Sequence, residues 1–371
     1  MKDFHGLIFA YYTDARLREL VSMRTAASLP FCGRYRVIDF SLSAMRNAGI
    51  VDVGVIMQRD YQSLLDHLGG GKAWDMARRT GGLRMLPPFG LPEYHRGNYA
   101  GTMEALIAVS SYIRDVKAKY FVLMLGDMCA NIDLTIPMEQ HRKSGSAITA
   151  ICTDRADAEG FRMTYVPGED GYVKEMLIDT VDPKQGFVSM EAYIINKETL
   201  LELMETSRKQ SLHRFHKDTL DNWLKEGGKM DIYVHHGYTA LIRSVDSYYK
   251  ANMDMLNNDI RHELFPAERP VFTKAREEVS TYYSEGSFSR NCLVADNCII
   301  EGSIENCIVF SGARIAKGAK LKNCIVMRGC TVGAGSSLEY VIVDKAVTFS
   351  PNTVLNGNEK LPIVVPKGSK L

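Results

Sequence analysis

At 371 residues the chain exceeds the roughly 250–300 at which a single core usually stops growing, so two domains are expected. A net charge of +1 with 24% charged residues excludes a broad basic field for nucleic acid and an acidic tail. The eight cysteines include no Cys-x-x-Cys pair and no cysteine–histidine cluster at zinc-finger spacing, which points to reduced, structural thiols.

From the N-terminus, residues 7–10, 51–57, 120–125, 147–153 and 192–196 read as strands. Between them, residues 39–47, 61–67 and 103–114 carry apolar side chains at helical spacing. Strands alternating with helices predict an α/β, Rossmann-like domain built on a mostly parallel sheet, over residues 1–260. Residues 1–10 hold too short an apolar stretch for a signal peptide, and runs such as 120–125 cannot span a bilayer, so a cytoplasmic protein without membrane partners is expected.

The texture changes after Arg261, where Pro266, Pro270 and a charged run at 274–278 mark a linker over 261–286. From 287 to 371 the chain is repetitive, with Asn-Cys-Leu at Asn291 and Asn-Cys-Ile at Asn297, Asn306 and Asn323. Ile315, Leu321 and Met327 recur about every six residues, and Val332 and Leu338 resume the period after a one-residue slip. Glycines at 302, 312, 318, 329, 333 and 335 suit the corners of a parallel β-helix, and the Asn-Cys pairs suit its turns. The apolar run Cys307-Ile308-Val309-Phe310 fits either an exposed contact surface or the coil core.

Near the N-terminus, Arg24 is followed by Pro30-Phe31-Cys32-Gly33-Arg34-Tyr35-Arg36-Val37-Ile38-Asp39-Phe40. Ser41-Leu42-Ser43, Asn47-Ala48-Gly49-Ile50, the segment from Arg96-Gly97 to Gly101-Thr102, Leu125-Gly126-Asp127 and Ala251-Asn252-Met253-Asp254 come after it in order. In this order the motifs resemble the glucose-1-phosphate adenylyltransferase (ADP-glucose pyrophosphorylase) family over essentially the whole chain. The resemblance implies a nucleotidyltransferase domain followed by a left-handed β-helix. It also implies a reaction in which glucose 1-phosphate attacks the α-phosphate of ATP, with Mg²⁺ as cofactor. Such a site works by positioning and charge neutralisation.

Measured against that resemblance, the site residues are degenerate. The family's glycine-rich phosphate loop is replaced by Tyr11, Tyr12, Thr13 and Asp14 before Ala15-Arg16-Leu17. Two rings and a carboxylate then lie where phosphates need close backbone N–H groups. The phosphate-binding lysine of the family aligns with Ala26, and the second metal aspartate with Leu241, next to Ile242-Arg243-Ser244. Asp127 matches the first metal aspartate, and one carboxylate alone is a poor Mg²⁺ site. In the sugar pocket the family's Glu-Lys pair aligns with Ile178-Asp179, Ser189-Met190 is retained, and the following glycine is Glu191. Arg16, Arg24 and Asp127 are left as a residual nucleotide or phosphate site, and Ser189 as a residual sugar site.

The pattern resembles the GlgD-type subunit of the family, which associates with a catalytic GlgC-type subunit in glycogen synthesis. That resemblance implies a weakly active or non-catalytic regulatory chain, Mg²⁺ not bound by this chain alone, a heterotetramer with the catalytic subunit or homo-oligomers alone, and a small-molecule effector. Three other readings stay open. One is a competent enzyme using unusual ligands, for which Asp127, Arg16 and Arg24 speak. Another is an acyltransferase of the hexapeptide type, against which all nine histidines lie at or before His262, outside the repeat. The third is an anion sensor, with the alternative that Arg16, Arg24 and Asp127 are simply satisfied surface or core residues.

Overall fold

The computed structural model describes residues 3–88, 99–155 and 160–371. Its contacts divide the chain into two compact units that interleave along the sequence. One comprises Met1–Tyr12, Ile38–Leu241 and Phe265–Phe272, and the other Thr13–Val37, Ile242–Leu264 and Thr273–Leu371. The linear boundaries expected at 260 and 286 therefore describe the order of folds along the chain. They miss that 13–37 and 242–264 cluster with the C-terminal repeat.

The first unit is built on a nine-stranded mixed sheet. Phe4–Phe9 lies at its centre, parallel to Val53–Ile56 on one side and Tyr120–Leu125 on the other, with Leu83–Leu86 beyond Val53–Ile56. Every residue of Phe4–Phe9 is buried, which accounts for its nearly continuous apolar sequence. A Cβ at Gly6 would come within 2.7 Å of the Met45 sulfur, so glycine there admits the helix Ile38–Asn47 against the sheet. That helix buries Ile38, Leu42 and Met45 and stops at Gly49, whose φ of 75° suits a C-terminal cap.

The ten-residue strand Phe187–Asn196 joins the two halves of the sheet. Its C-terminal part runs antiparallel to Tyr120–Leu125, and it pairs along more of its length with Ile148–Thr153. A bulge interrupts the latter pairing between Ser189 and Ala192. Met230–His235 is parallel to Ile148–Thr153, while Met163–Pro167 and Val173–Ile178 complete the other edge. All five strands expected from the sequence are present. The helix expected over 103–114 is broken at Val109 into Thr102–Ala108 and Ser110–Asp115. Arg96-Gly97 lies outside the described residues.

In the second unit, three parallel five-stranded sheets form the faces of a left-handed β-helix. Ile304, Leu321, Leu338 and Leu355 stack in register, so a full coil takes 17 residues. Three strict hexapeptides would take 18, and the missing residue falls at the Asn-Cys corner. For this reason Val326, not Met327, continues the interior row after Leu321. Asn291, Asn306 and Asn323 adopt φ of 50°, 50° and 53° at that corner. Their amides form a ladder, Asn291 Nδ2 donating to Asn306 Oδ1 at 2.9 Å and Asn306 Nδ2 to Asn323 Oδ1 at 3.2 Å. Asparagine tolerates the left-handed region, and stacking satisfies its side chain.

Cys298, Cys307, Cys324 and Cys330 are buried in this interior, and none of the eight cysteines forms a disulfide. Burial pushes the Cys330 thiol up to about 12, so it is held as an unreactive thiol. The run Cys307–Phe310 is also buried, which removes it as an exposed contact surface. The exposed apolar residues of this unit include Tyr282, Tyr283, Phe288, Val354 and Leu361.

The segments 13–37 and 242–264 are tied into this unit by hydrogen bonds that join the recognisable motifs. Tyr248 Oη donates to the Pro30 carbonyl at 2.6 Å, and Cys32 N donates to Asn252 Oδ1 at 3.0 Å. Tyr249 Oη donates to the Asn323 carbonyl at 2.8 Å. Ser244 caps Val245–Asp254, its hydroxyl accepting from Ser247 N at 2.9 Å while Ser247 Oγ accepts from Ser244 N. Among the described residues no helix is long and apolar enough to cross a membrane.

Candidate functional site

The phosphate-loop position follows the central strand. Ala10 N still donates to the Ile56 carbonyl at 2.9 Å, extending the sheet. Beyond it, none of residues 11–15 has a positive φ, so the backbone does not take the turn conformations that glycine would allow. The Tyr11 ring packs edge-on to Phe9 and Tyr99, and its hydroxyl donates to Thr102 Oγ1 at 3.2 Å. Tyr11 is thus a packed, hydrogen-bonded part of the first unit.

Asp14 and Arg16 fall in the second unit and satisfy each other. Asp14 caps the 3₁₀ helix Ala15–Val21 by accepting from Arg16 N at 2.7 Å. The Arg16 guanidinium donates to the same carboxylate through Nε at 3.0 Å and Nη2 at 2.8 Å. A bidentate partner two residues away occupies the fork that would otherwise meet a phosphate.

Arg24 belongs to the same unit and is buried. Its Nε donates to the Leu20 carbonyl at 2.8 Å and its Nη2 to the Asp344 carboxylate. Ala26, fully buried in the short turn Ala26–Ser28, presents no charge. Arg16 and Arg24 fall in one unit and Asp127 in the other.

Around Asp127 the geometry is direct. Thr239–Leu241 pairs antiparallel with Met128–Ala130 and sets Leu241 opposite Met128, the residue after Asp127. Asp127 is 1% exposed and Leu241 fully buried. The second strand thus brings an aliphatic side chain opposite the residue that follows Asp127. Among the described residues, no group of three or more His, Cys, Asp or Glu is disposed to hold a metal ion.

Ser189 is buried within the strand Phe187–Asn196. Its Oγ accepts from Glu191 N at 3.2 Å and lies 3.5 Å from the Tyr193 hydroxyl. Tyr193 Oη is 2.6 Å from Tyr165 Oη and 2.9 Å from His216 Nδ1, and His216 Nε2 is 3.5 Å from the Glu191 carboxylate. Ile178 ends its strand, and Asp179, at φ 57°, lies 3.8 Å from Lys217 Nζ. Sequence reasoning placed Ser189 and Glu191 here and missed Tyr165, Tyr193 and His216. No spacing signal links these three, because they come from separate elements.

A second group was also missed. At a corner of the β-helix, Asp344 and Lys345 adjoin Arg24, Arg36 and Lys367. Burial, followed by the charges of Arg36 and Arg24, pushes the Lys345 ammonium down to about 7, with Asp344 opposing. The charges of Arg36, Arg24 and Lys367 thus oppose protonation of Lys345, and Asp344 favours it. The five residues are scattered from 24 to 367, and the fold alone assembles them.

A family model described as nucleotidyl transferase matches residues 7–258, and one described as GlmU-like, C-terminal hexapeptide matches residues 278–361. The chain is 33% identical over 354 residues to the glycogen biosynthesis protein GlgD of Bacillus subtilis, spanning 95% of this chain and 92% of that one. It is 30% identical over 324 residues to a glucose-1-phosphate adenylyltransferase of Fusobacterium nucleatum, spanning 86% and 84%. A glucose-1-phosphate adenylyltransferase of Geobacillus stearothermophilus is 31% identical over 323 residues, spanning 85% and 82%.

Proposed function

Because the chain belongs to the glucose-1-phosphate adenylyltransferase family of nucleotidyl transferases, we propose that it serves glycogen biosynthesis in the cytoplasm as a regulatory subunit with little or no activity of its own. The observation that supports this reading is the strand register that sets Leu241, not a carboxylate, opposite Met128, the residue after buried Asp127, since phosphoryl-type transfer relies on carboxylates to hold a divalent cation. The tyrosine-filled loop and Ala26 in place of a cationic donor support it. Losing one donor aimed at developing charge costs about 10²- to 10³-fold in rate, and this site lacks more than one.

Its partner in this reading is a catalytic subunit of the same family, in a heterotetramer. The test is ADP-glucose formation from ATP and glucose 1-phosphate by the purified chain, alone and co-expressed with a catalytic subunit from the same cell. The chain alone should fall at least about 10²-fold below the catalytic subunit. In co-expression it should co-purify with that subunit and change its rate or effector response. Full activity of the isolated chain overturns the proposal, as does co-expression that changes nothing.

A second element of the reading is effector binding, favoured by the cluster of Arg24, Arg36, Lys345 and Lys367. A small phosphorylated or carboxylated anion bound there would add negative charge and favour the protonated form of Lys345. Binding near pH 8 should then take up a proton, read as a dependence of calorimetric heat on the buffer's ionisation enthalpy. Heat independent of buffer, or no binding of any sugar phosphate or nucleotide, removes this part.

A further inference from the structure

The strand Met230–His235 carries Ile232, Tyr233 and Val234 in succession, residue types that strands favour, and directly before them Asp231, a type that strands avoid. It pairs with Ile148–Thr153 on one side alone, so its other side is a free edge of the sheet. Such an edge presents N–H and C=O groups that can template a strand from another molecule.

In a parallel pair, alternate residues turn both backbone groups toward the partner strand, and the residues between them turn both away. Ile232 is turned away, and side chains take both of its groups. Its N–H donates to Asp231 Oδ1 at 2.9 Å, and its carbonyl accepts from Gln140 Nε2 at 2.9 Å. The same Gln140 nitrogen donates to Asp231 Oδ2 at 2.9 Å, which closes a ring of hydrogen bonds over the backbone of one residue. Both partners of that nitrogen are acceptors, so they fix the orientation of the amide. Gln140 comes from the helix Thr135–Ser144, which packs against this strand.

The position of this ring matters as much as its bonds. Met230, Ile232 and Val234 face the free edge, and Ile232 is the middle one of the three. An added strand has to bond successive outward residues, so every register that engages two of them uses Ile232. Two copies meeting edge to edge about a two-fold axis pair antiparallel, and the symmetric register sets Ile232 opposite its own counterpart. Half-buried Ile232, Tyr233 and Val234, with Ile136 exposed on the neighbouring helix, would give that contact apolar area.

We propose that Asp231 and Gln140 are a latch that keeps the free edge of Met230–His235 from pairing with the same edge of a second copy of this chain. Hydrogen bonds already made within the chain have to be given up before an intermolecular ladder forms, so the bonds gained and lost nearly cancel. Assembly of the chain is thereby left to its other surfaces.

The test is sedimentation of the full chain between about 1 and 100 µM, with hydrogen exchange on the same samples. The double variant Gln140→Ala/Asp231→Ala should form a species absent from the wild type, self-associating at least about tenfold more tightly. In that species the Val234 amide, which faces the free edge, should become protected from exchange. Adding Val234→Pro removes an edge N–H while sparing the ladder to Ile148–Thr153, and should return the double variant to the wild-type state. Far-UV circular dichroism and melting establish folding. Should the double variant not fold, Gln140→Ala alone should show a smaller increase in association.

A folded double variant, or in its absence a folded Gln140→Ala, that sediments as the wild type does at every concentration overturns the proposal. So does a new species in which the Val234 amide exchanges as freely as in the wild type, or one that Val234→Pro leaves in place, since the contact then lies elsewhere.

Discussion

Left-handed backbone occurs in both units, and it is filled by opposite rules. In the β-helix, Asn306 and Asn323 occupy equivalent corners one coil apart, and each side chain is satisfied by the next member of its ladder. In the α/β unit, Glu191 occupies a single bulge and is engaged by a histidine from a remote turn. Asparagine recurs at this corner because it tolerates the left-handed region, although Tyr340 adopts it at φ 50° one coil further on. A solitary, poorly suited residue at a bulge calls for another explanation, and the polar network supplies one. The same contrast holds for charge. Asp344 is paired with buried Arg24 within the unit that holds the β-helix, whereas in the α/β unit the residue after Asp127 faces Leu241.

The sharpest way to break this contrast is at Asp344. Replacing it by alanine leaves the Arg24 guanidinium buried without its carboxylate. The expected loss is about 3–5 kcal/mol in chemical denaturation, with far less for the paired removal of both charges. If Asp344→Ala is nearly neutral, the ion pair is not what anchors segment 13–37. Truncating the interior leucine Leu321 to alanine should cost about 2–5 kcal/mol, whereas Met327→Ala should perturb the coil interior less, since Val326 holds the interior position.

At the corners, Asn306→Ala should destabilise by about 1–2 kcal/mol through the left-handed backbone and two broken ladder bonds. Glu191→Gly should instead leave the stability unchanged or raise it by up to about 1 kcal/mol, because the conformational cost disappears. Equal losses at both positions would erase the distinction between them.

The pH dependence at Lys345 is the finest discriminator. Its ammonium, at about 7 when folded, lies below the ordinary 10.5, so the folded state binds fewer protons between those values. Stability contributed there is lowest below pH 7 and rises as pH climbs toward 10.5. Lys345→Met should raise the melting temperature at neutral pH and flatten that rise, as thermal melts across pH 6–10 would reveal.

Much of the architecture was legible locally. The strands at 120–125 and 147–153, the helix ending before Gly49 and the Asn-Cys corners each follow from periodicity and from what a residue's backbone permits. That residue 241 is a leucine and not a carboxylate was also visible, since it needs only a residue identity. Less visible was the fate of what remained. Arg16 and Arg24 read either as a residual anion site or as satisfied residues, and the fold gives each a carboxylate, one two residues away and one 320 residues away.

By itself, then, the sequence determined the order of the two folds, the turn chemistry of the repeat and the residue types absent from the site, because each depends on a short window or a single side chain. The tertiary structure decided which groups face one another. It joined 13–37 and 242–264 to the repeat, gathered Arg24, Arg36, Lys345 and Lys367 around one carboxylate, and brought His216 to Glu191. Such pairings join residues far apart along the chain or on separate elements, and electrostatics and hydrogen bonding depend on distance in space, which no local pattern encodes.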